Sequence, residues 1–141
     1  MSTSQPVQVE PGKGVKQSYV VAGAILSCSC GTQPTRLELP LSHGVSIKGK
    51  AQANVGDYVS GRNIVSFGNC SSVQNPAVQS STMVDSYGVK KSPCVPVLTM
   101  PWIGGKEDVQ IEGRSALLSG CRHQCLYGGS IRIEDDGQNL E

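Results

Sequence analysis

Charged residues and large aromatic side chains are both scarce in this sequence. Of its 141 residues only 16% are charged and 4% are aromatic, with a single Trp and a single Phe. The formal net charge is +1 and the charges are scattered, so the sequence lacks the basic patch that nucleic-acid-binding domains carry. No apolar run approaches the roughly 18 residues that a membrane-spanning helix needs. These shortages argue against nucleic-acid-binding and membrane-spanning proteins and leave protein partners open.

Helical periodicity is missing as well. No window longer than about 12 residues has the apolar spacing of an amphipathic helix. The 17 Gly and 8 Pro, together with short β-branched runs, indicate many short strands and tight turns. The length suits one domain with a modest core. The sequence therefore predicts an all-β domain over residues 17–133, preceded by a flexible arm (1–16) and followed by a flexible acidic tail (134–141).

An internal repeat organises the chain, because residues 45–57 return in similar form as residues 109–121, at an offset of 64. The matched pairs are Val45 and Val109, Ile47 and Ile111, Gly49 and Gly113, Lys50 and Arg114, and Gly56 and Gly120. Each copy predicts a β-hairpin that turns at Gly49 and Lys50, or at Gly113 and Arg114, since Gly supplies the positive φ of a two-residue loop. Two unrelated hairpins are the alternative, but the shared Gly and polar loop downstream favour a repeat.

Other stretches have the composition of strands. Residues 17–26 form the longest apolar run and predict a buried strand, with Gly23 as its potential interruption. Residues 36–39 alternate and predict a half-exposed strand, and residues 63–70 predict another. Residues 71–92 have little pattern and are expected to form an excursion between the two repeat copies.

The six cysteines suggest a metal site. Residues 1–6 have neither the basic nor the apolar region of a secretory signal, so we expect the chain to be made in a cytosol, where thiols stay reduced. Cysteines in a reducing compartment favour metal binding over disulfides. Export without a classical signal is the alternative, and disulfides could then form.

Enzymatic patterns are absent from the sequence. It contains no supported Ser-His-Asp order, no phosphate-binding Gly loop and no H-E-x-x-H motif. We therefore expect a non-enzymatic protein without catalytic residues. A Cys–His thiol nucleophile pair is the remaining enzymatic alternative.

Several motifs in order resemble the PAAR-like spike-tip proteins, and most closely their cysteine-containing branch, long catalogued as a domain of unknown function. They are residues 23–28, His43 with Gly44 and Val45, the hairpin with Gly49, Lys50 and Asp57, residues 63–70, residues 93–96, and Cys125 with residues 128–131. The resemblance covers about residues 19–133. The literal Pro-Ala-Ala-Arg string is absent, and residues 50–53 and 114–117 occupy its place.

The resemblance implies a small cone of β-hairpins that caps and sharpens a trimeric β-helical spike, of the valine-glycine-repeat or phage-spike type. Such spikes belong to contractile injection systems: type VI secretion systems, phage tails and extracellular particles. The implied protein is made in the bacterial cytoplasm, sits at the particle tip, contacts the target membrane transiently during puncture, and can travel with effector cargo. The rival hypothesis is a zinc-stabilised binding module or toxin-carrier domain exported by another route.

The resemblance also implies a structural zinc ion that stiffens the apex, since a narrow point contains too few residues for a core. Classical relatives use mostly histidine ligands, whereas only two histidines occur here, so the ligand set must be rich in cysteine. The residues at the family positions are Cys28, Cys70, Cys94 and Cys125. The secondary candidates are His43, Cys30, Cys121 and His123. Buried free thiols or disulfides remain the alternatives for these cysteines.

Overall fold

A computed structural model describes Val7–Gln8 and residues 16–140. The fold is all-β, as predicted, and is built from short antiparallel strand pairs. Within the described residues the one helix is a single turn, and its first residue follows the N-cap Asn75, whose side chain accepts from the Ala77 N–H. The predicted arm, residues 1–16, lies outside the described residues except for Val7–Gln8 and Lys16.

The elements follow one another as β1 (Val7–Gln8), β2 (Lys16–Gln17), β3 (Ile25–Cys28), β4 (Thr35–Arg36), β5 (Ser46–Ile47), β6 (Lys50–Ala51), β7 (Asn69–Cys70), α1 (Pro76–Gln79), β8 (Ser92–Pro93), β9 (Lys106–Ile111), β10 (Arg114–Ala116), β11 (Arg122–Gln124) and β12 (Ser130–Asp135). A four-stranded antiparallel sheet has the order β11-β12-β3-β4. The pairs β1–β2, β5–β6, β7–β8 and β9–β10 form separate two-stranded sheets.

Both hairpins of the sequence repeat are present, but each turn lies one residue earlier than predicted. Ile47 pairs with Lys50, so the loop of β5–β6 is Lys48 and Gly49, with φ of 53° and 79°. The loop of β9–β10 is Glu112 and Gly113, with φ of 51° and 82°. A type I′ turn requires positive φ at both loop residues, and a Lys and a Glu adopt it here. The prediction that Lys50 and Arg114 belong to the turns is therefore wrong.

A closed ring of backbone hydrogen bonds joins three segments, residues 18–22, 51–55 and 115–119, which we call copies 1, 2 and 3 of the triangle. The Val20 N–H donates to the Leu117 carbonyl (3.1 Å). The Ala53 N–H donates to the Val20 carbonyl (2.9 Å), and the Leu117 N–H donates to the Ala53 carbonyl (3.1 Å). Each copy thus donates to one neighbour and accepts from the other around the ring.

The same cyclic pattern repeats on either side of these central residues. Antiparallel bridges join Tyr19 to Leu118, Val21 to Gln52 and Asn54 to Ala116. The residue two positions after each centre also donates its N–H to a carbonyl of the next copy. These bonds run from Ala22 to Ala51 (2.8 Å), from Val55 to Ser115 (2.9 Å) and from Ser119 to Ser18 (2.8 Å). The second half of each copy therefore pairs with the first half of the next, which gives the triangle a pseudo-three-fold axis.

Each copy also leaves the triangle through the same turn. A glycine lies three residues after each centre, at Gly23, Gly56 and Gly120. In each copy the residue after this glycine donates its N–H to the carbonyl three residues earlier: Ala24 to Val21, Asp57 to Asn54 and Cys121 to Leu118 (2.9–3.1 Å). The sequence repeat contains copies 2 and 3 but not copy 1, which precedes copy 2 by 33 residues.

The triangle packs directly on the hydrophobic core. Its central side chains, Val20, Ala53 and Leu117, are fully buried. They belong to one cluster that includes Phe67 and Trp102. The Trp102 indole N–H donates to the Asp57 carbonyl (3.0 Å), so this side chain is a core residue with its polar atom satisfied.

The C-terminal residues pack against the domain, beyond the boundary at Ile133 that the sequence suggested. Strand β12 continues to Asp135, and the Val21 N–H donates to the Asp136 carbonyl (3.0 Å). Gln138 is only 2% exposed, and its amide nitrogen donates to the Tyr19 carbonyl (2.7 Å). These contacts tie the chain end to copy 1 of the triangle.

Candidate functional site

The three copies lead from the triangle to a shared group of cysteines. Cys28 ends β3, and Cys125 follows β11; each lies eight residues after the centre of its copy, Val20 or Leu117. The chain after copy 2 supplies two more, since Cys70 ends β7 and Cys94 directly follows β8. Cysteines that are 24 or more residues apart in sequence therefore reach the same region of the fold, with Cys30 beside Cys28.

These five cysteines line one small cavity, which we call the thiol cavity. Its cysteine walls are Cys28, Cys30, Cys70, Cys94 and Cys125. The remaining walls are largely apolar and include Phe67, Pro96 and Ile131. The volume is about 10 Å³, which is the space of one water-sized sphere. No residue of the triangle lines it, so the triangle and the thiol cavity are separate features of the same three copies.

Burial raises the pKa of two of these thiols, Cys28 and Cys94, above the ordinary value of a cysteine. Burial has the largest effect on the pKa of Cys28; a hydrogen bond from the Cys30 backbone lowers this pKa, and the nearby thiols of Cys30, Cys94 and Cys125 raise it. Burial likewise raises the pKa of Cys94, with Cys70 and Cys125 adding to the effect. Several thiolates in so small and apolar a space require a cation to balance their charge.

Backbone groups around the cavity suit thiolate ligands. The Ser72 N–H donates to the Cys70 sulfur (3.4 Å), and the Val97 N–H donates to the Cys125 sulfur (3.5 Å). Hydrogen bonds of this kind orient metal ligands and stabilise their charge. Gly129 leaves room for the sulfur of Cys28, because a Cβ at this position would lie 2.6 Å from it.

The donor set fits a zinc ion, although the sulfur atoms do not converge on one point as they stand. Among the described residues, no three His, Cys, Asp or Glu side chains are close enough together to hold a metal ion without rearrangement. Tetrahedral zinc with Zn–S bonds of about 2.3 Å needs sulfur atoms roughly 3.8 Å apart. Zinc binding in the thiol cavity would therefore require the cysteine side chains to change rotamer.

Two of the secondary ligand candidates lie elsewhere in the core. Cys121 is fully buried in the turn after copy 3, where its sulfur accepts the Leu118 N–H (3.3 Å) and burial raises its pKa to about 11. His123 contacts the Met100 carbonyl (2.5 Å) and packs edge-on against Trp102. Neither residue lines the thiol cavity, whereas the secondary candidate Cys30 does.

His43 joins the exit turn of copy 2 to the turn of β9–β10. Its Nε2 is 2.9 Å from the Asp57 carboxylate, and its Nδ1 is 2.5 Å from Glu112 in the turn of β9–β10. Burial lowers the pKa of His43, but the hydrogen bonds to Glu112 and Asp57 outweigh it and the pKa is raised. These contacts link His43 to residues 14 and 69 positions away, and His43 does not line the thiol cavity.

Three of the thiols have pKa values shifted away from those of an activated nucleophile. Reactive cysteines have lowered pKa values and usually a histidine or other cation beside them. Burial instead raises the pKa of Cys28, Cys94 and Cys121. Neither histidine lines the thiol cavity.

A hairpin precedes each copy of the triangle. The pairs β1–β2, β5–β6 and β9–β10 lead into copies 1, 2 and 3 in that order. We call these three pairs the hairpin face. In the second and third pairs the turn residues and several flanking side chains are exposed, among them Val45, Ser46, Gln110 and Arg114. The order along the chain is thus the same in each copy: a strand pair, then a segment of the triangle, then one or two cysteines of the thiol cavity.

Comparison with known families identifies the group to which the chain belongs. A model of the family described as "Domain of unknown function (DUF4280)" matches residues 20–138. The chain is a DUF4280 domain. The match includes most of all three copies, every cysteine and the buried Gln138.

Other comparisons add no relatives to the DUF4280 domain. No curated protein and no solved structure matches the chain. Within the described part of the chain, no helix has the length and apolarity to cross a membrane.

Proposed function

We propose that this DUF4280 chain is a structural, non-enzymatic spike-tip protein of a contractile injection system, which caps a trimeric β-helical spike. The observation that carries the proposal is the closed triangle, in which three copies repeat the same hydrogen bonds around one axis. A three-fold partner presents the same surface three times around its axis. A single chain can match such a partner only if it contains three similar arms, and the hairpin face provides them.

Capping also solves a problem at the spike end. The last turn of a β-helix exposes unpaired N–H and C=O groups and a cross-section of apolar core. Hairpins arranged around the same axis supply matching strand edges, because each strand pairs through its backbone whatever its side chains are. Two-residue loops keep β5–β6 and β9–β10 short and rigid.

The thiol cavity supplies the stiffness that an apex needs. Cys28, Cys70, Cys94 and Cys125 would hold a structural zinc ion, with Cys30 as a fifth nearby thiol. A closed tetrahedral thiolate site contributes its binding energy directly to folding. Because Cys28 and Cys125 belong to copies 1 and 3, and the other two follow copy 2, such a site ties all three copies together.

The proposal includes a cellular setting. The chain is made in a bacterial cytoplasm and assembled on the spike of a type VI, phage-tail-like or extracellular particle. It contacts the target membrane only during puncture and travels with any effector cargo that the spike delivers. These parts of the proposal rest on the resemblance to PAAR-like proteins.

The decisive experiment measures assembly with a trimeric spike encoded in the same genome region. Native mass spectrometry of the purified mixture should show one chain bound to three spike subunits. Failure of a folded, monomeric chain to bind any such trimer would refute the cap and favour a binding module exported by another route.

Matched variants locate the docking surface. Val45→Glu places a charge beside β5 on the hairpin face, where Val45 is 39% exposed. Val73→Glu makes the same change near the thiol cavity, where Val73 is 75% exposed. We expect Val45→Glu to weaken spike binding by about tenfold or more and Val73→Glu to leave it unchanged. Equal losses, or a loss only in Val73→Glu, would contradict docking through the hairpin face.

A further inference from the structure

Two arginines face each other on the solvent side of the four-stranded sheet. Arg122 of β11 lies directly opposite Arg132 of β12, and Arg132 lies opposite Ser27 of β3. Residues directly opposite in adjacent strands project on the same face of the sheet. The neighbouring row, which contains Ile131 and Cys28, faces the core and the thiol cavity, so the arginine row is on the outside.

This pairing is unfavourable without a counter-ion. Like charges directly opposite in a sheet are destabilising. Arg132 has a partial partner in Glu134, at 3.6 Å from its Nε. Within the part of the chain that the structure describes, the Arg122 guanidinium makes no hydrogen bond or ion pair. Two sets of guanidinium donors therefore lie side by side with little to neutralise them.

Serine hydroxyls complete a depression around these arginines. The depression has a volume of about 410 Å³ and is lined by Ser27, Cys28, Ser29, Arg122, Ser130 and Arg132. Ser29 Oγ accepts the Ser130 N–H (2.9 Å), which leaves its hydroxyl hydrogen free to donate. Ser27 Oγ donates to Glu134 (2.5 Å), so this carboxylate is held by Ser27 and Arg132 at the edge of the row.

We propose that this arginine–serine depression binds a tetrahedral phosphate group. A guanidinium donates two parallel hydrogen bonds to a phosphate, and an anion between Arg122 and Arg132 turns their repulsion into attraction. The Ser29 and Ser130 hydroxyls can donate to the remaining phosphate oxygens. The phosphate belongs either to a lipid headgroup or to a soluble molecule, since both present the same oxygens. No residue of the hairpin face lines this depression, and Cys28 is the one residue that it shares with the thiol cavity.

The test titrates the full-length protein with inorganic phosphate at constant ionic strength and follows backbone amide NMR signals. We expect saturable shifts confined to residues 27–29, 122 and 130–132. Arg122→Gln and Arg132→Gln should each weaken binding by about tenfold or more. Both variants should fold, because each removes one of two like charges that repel each other. Thermal unfolding verifies this. Arg62→Gln removes the same charge from an exposed position outside the depression and should leave the affinity unchanged.

A second arm identifies the source of the phosphate. Co-sedimentation with phosphatidylcholine vesicles that contain phosphatidic acid, lost in Arg122→Gln but not in Arg62→Gln, would indicate a lipid headgroup. Saturable binding of free phosphate without vesicle binding would indicate a soluble ligand. The absence of saturable shifts with millimolar phosphate, or equal losses in Arg62→Gln and Arg122→Gln, would overturn the proposal.

Discussion

Truncation of Leu117 to alanine tests the packing of the triangle. The Leu117 side chain is fully buried at the centre of copy 3, and its backbone N–H and carbonyl both belong to the closed ring. The equivalent residue of copy 2 is Ala53, so an alanine is compatible with the ring geometry. The substitution therefore removes packing without removing a ring hydrogen bond.

The expected loss of stability follows from the volume removed. Deleting three buried carbon atoms costs about 2.4 kcal/mol in transfer free energy at ~0.8 kcal/mol each. The residual cavity adds a further ~1 kcal/mol or more, which places the total at about 3–4 kcal/mol. A loss of this size lowers the midpoint of thermal unfolding by about 10 °C in a domain of this length.

Urea unfolding in the presence of a reducing agent and a chelator measures the free energy without a contribution from bound metal. Leu126→Ala is the matched control, because Leu126 is 62% exposed and its truncation should change stability by no more than about 0.5 kcal/mol. A loss of stability below about 1 kcal/mol for Leu117→Ala, or a loss equal to that of Leu126→Ala, would refute the close packing of Leu117 in the core.

Two further predictions concern the thiols and the His43 contact. Protein purified under reducing conditions should contain about one zinc per chain by elemental analysis. Cys94→Ser should abolish this zinc, whereas Cys121→Ser, outside the thiol cavity, should retain it; the opposite pattern would exclude the proposed ligand set. His43 has a raised pKa in the folded state, so its contribution to stability is complete below pH ~6.5 and is lost as pH rises through the folded pKa. The urea midpoint of the wild type should therefore fall as the pH rises from ~6.5 through the folded pKa of His43. His43→Gln should lose about 1 kcal/mol of stability at acidic pH, and its urea midpoint should depend less on pH. The same pH dependence in both proteins would contradict the ion-pair role.

The composition and the hairpin repeat were readable from sequence because they depend on local chemistry. Frequent Gly and Pro with short β-branched runs predicted an all-β fold, and the structure confirms it. The matching Gly49 and Gly113 identified both hairpins, since only glycine adopts positive φ without strain. The turns lie one residue earlier than predicted because Lys48 and Glu112 also adopt positive φ. Side-chain type alone does not reveal that.

Copy 1 is not apparent from the sequence, because the triangle is defined by backbone hydrogen bonds. Copy 1 shares with the other copies the glycine of its exit turn and small or apolar residues, but the sequence before it lacks the V-x-I string, and no Gly-basic pair directly precedes it as in copies 2 and 3. Backbone donors and acceptors are the same for nearly every residue type, so such pairing leaves little trace in the sequence. Glycines at positions 23, 56 and 120 were the available signal.

The sequence by itself determined the strand-rich character, the two hairpins and the cysteines available for a site. Only the tertiary structure decided that three copies close into one ring, that five cysteines border one cavity, that His43 joins Asp57 to Glu112, and that Arg122 lies opposite Arg132. The physical reason is the distance along the chain, since each of these contacts joins residues that are ten or more positions apart. Local preferences select a strand or a turn, whereas contacts of this range depend on how the whole chain packs.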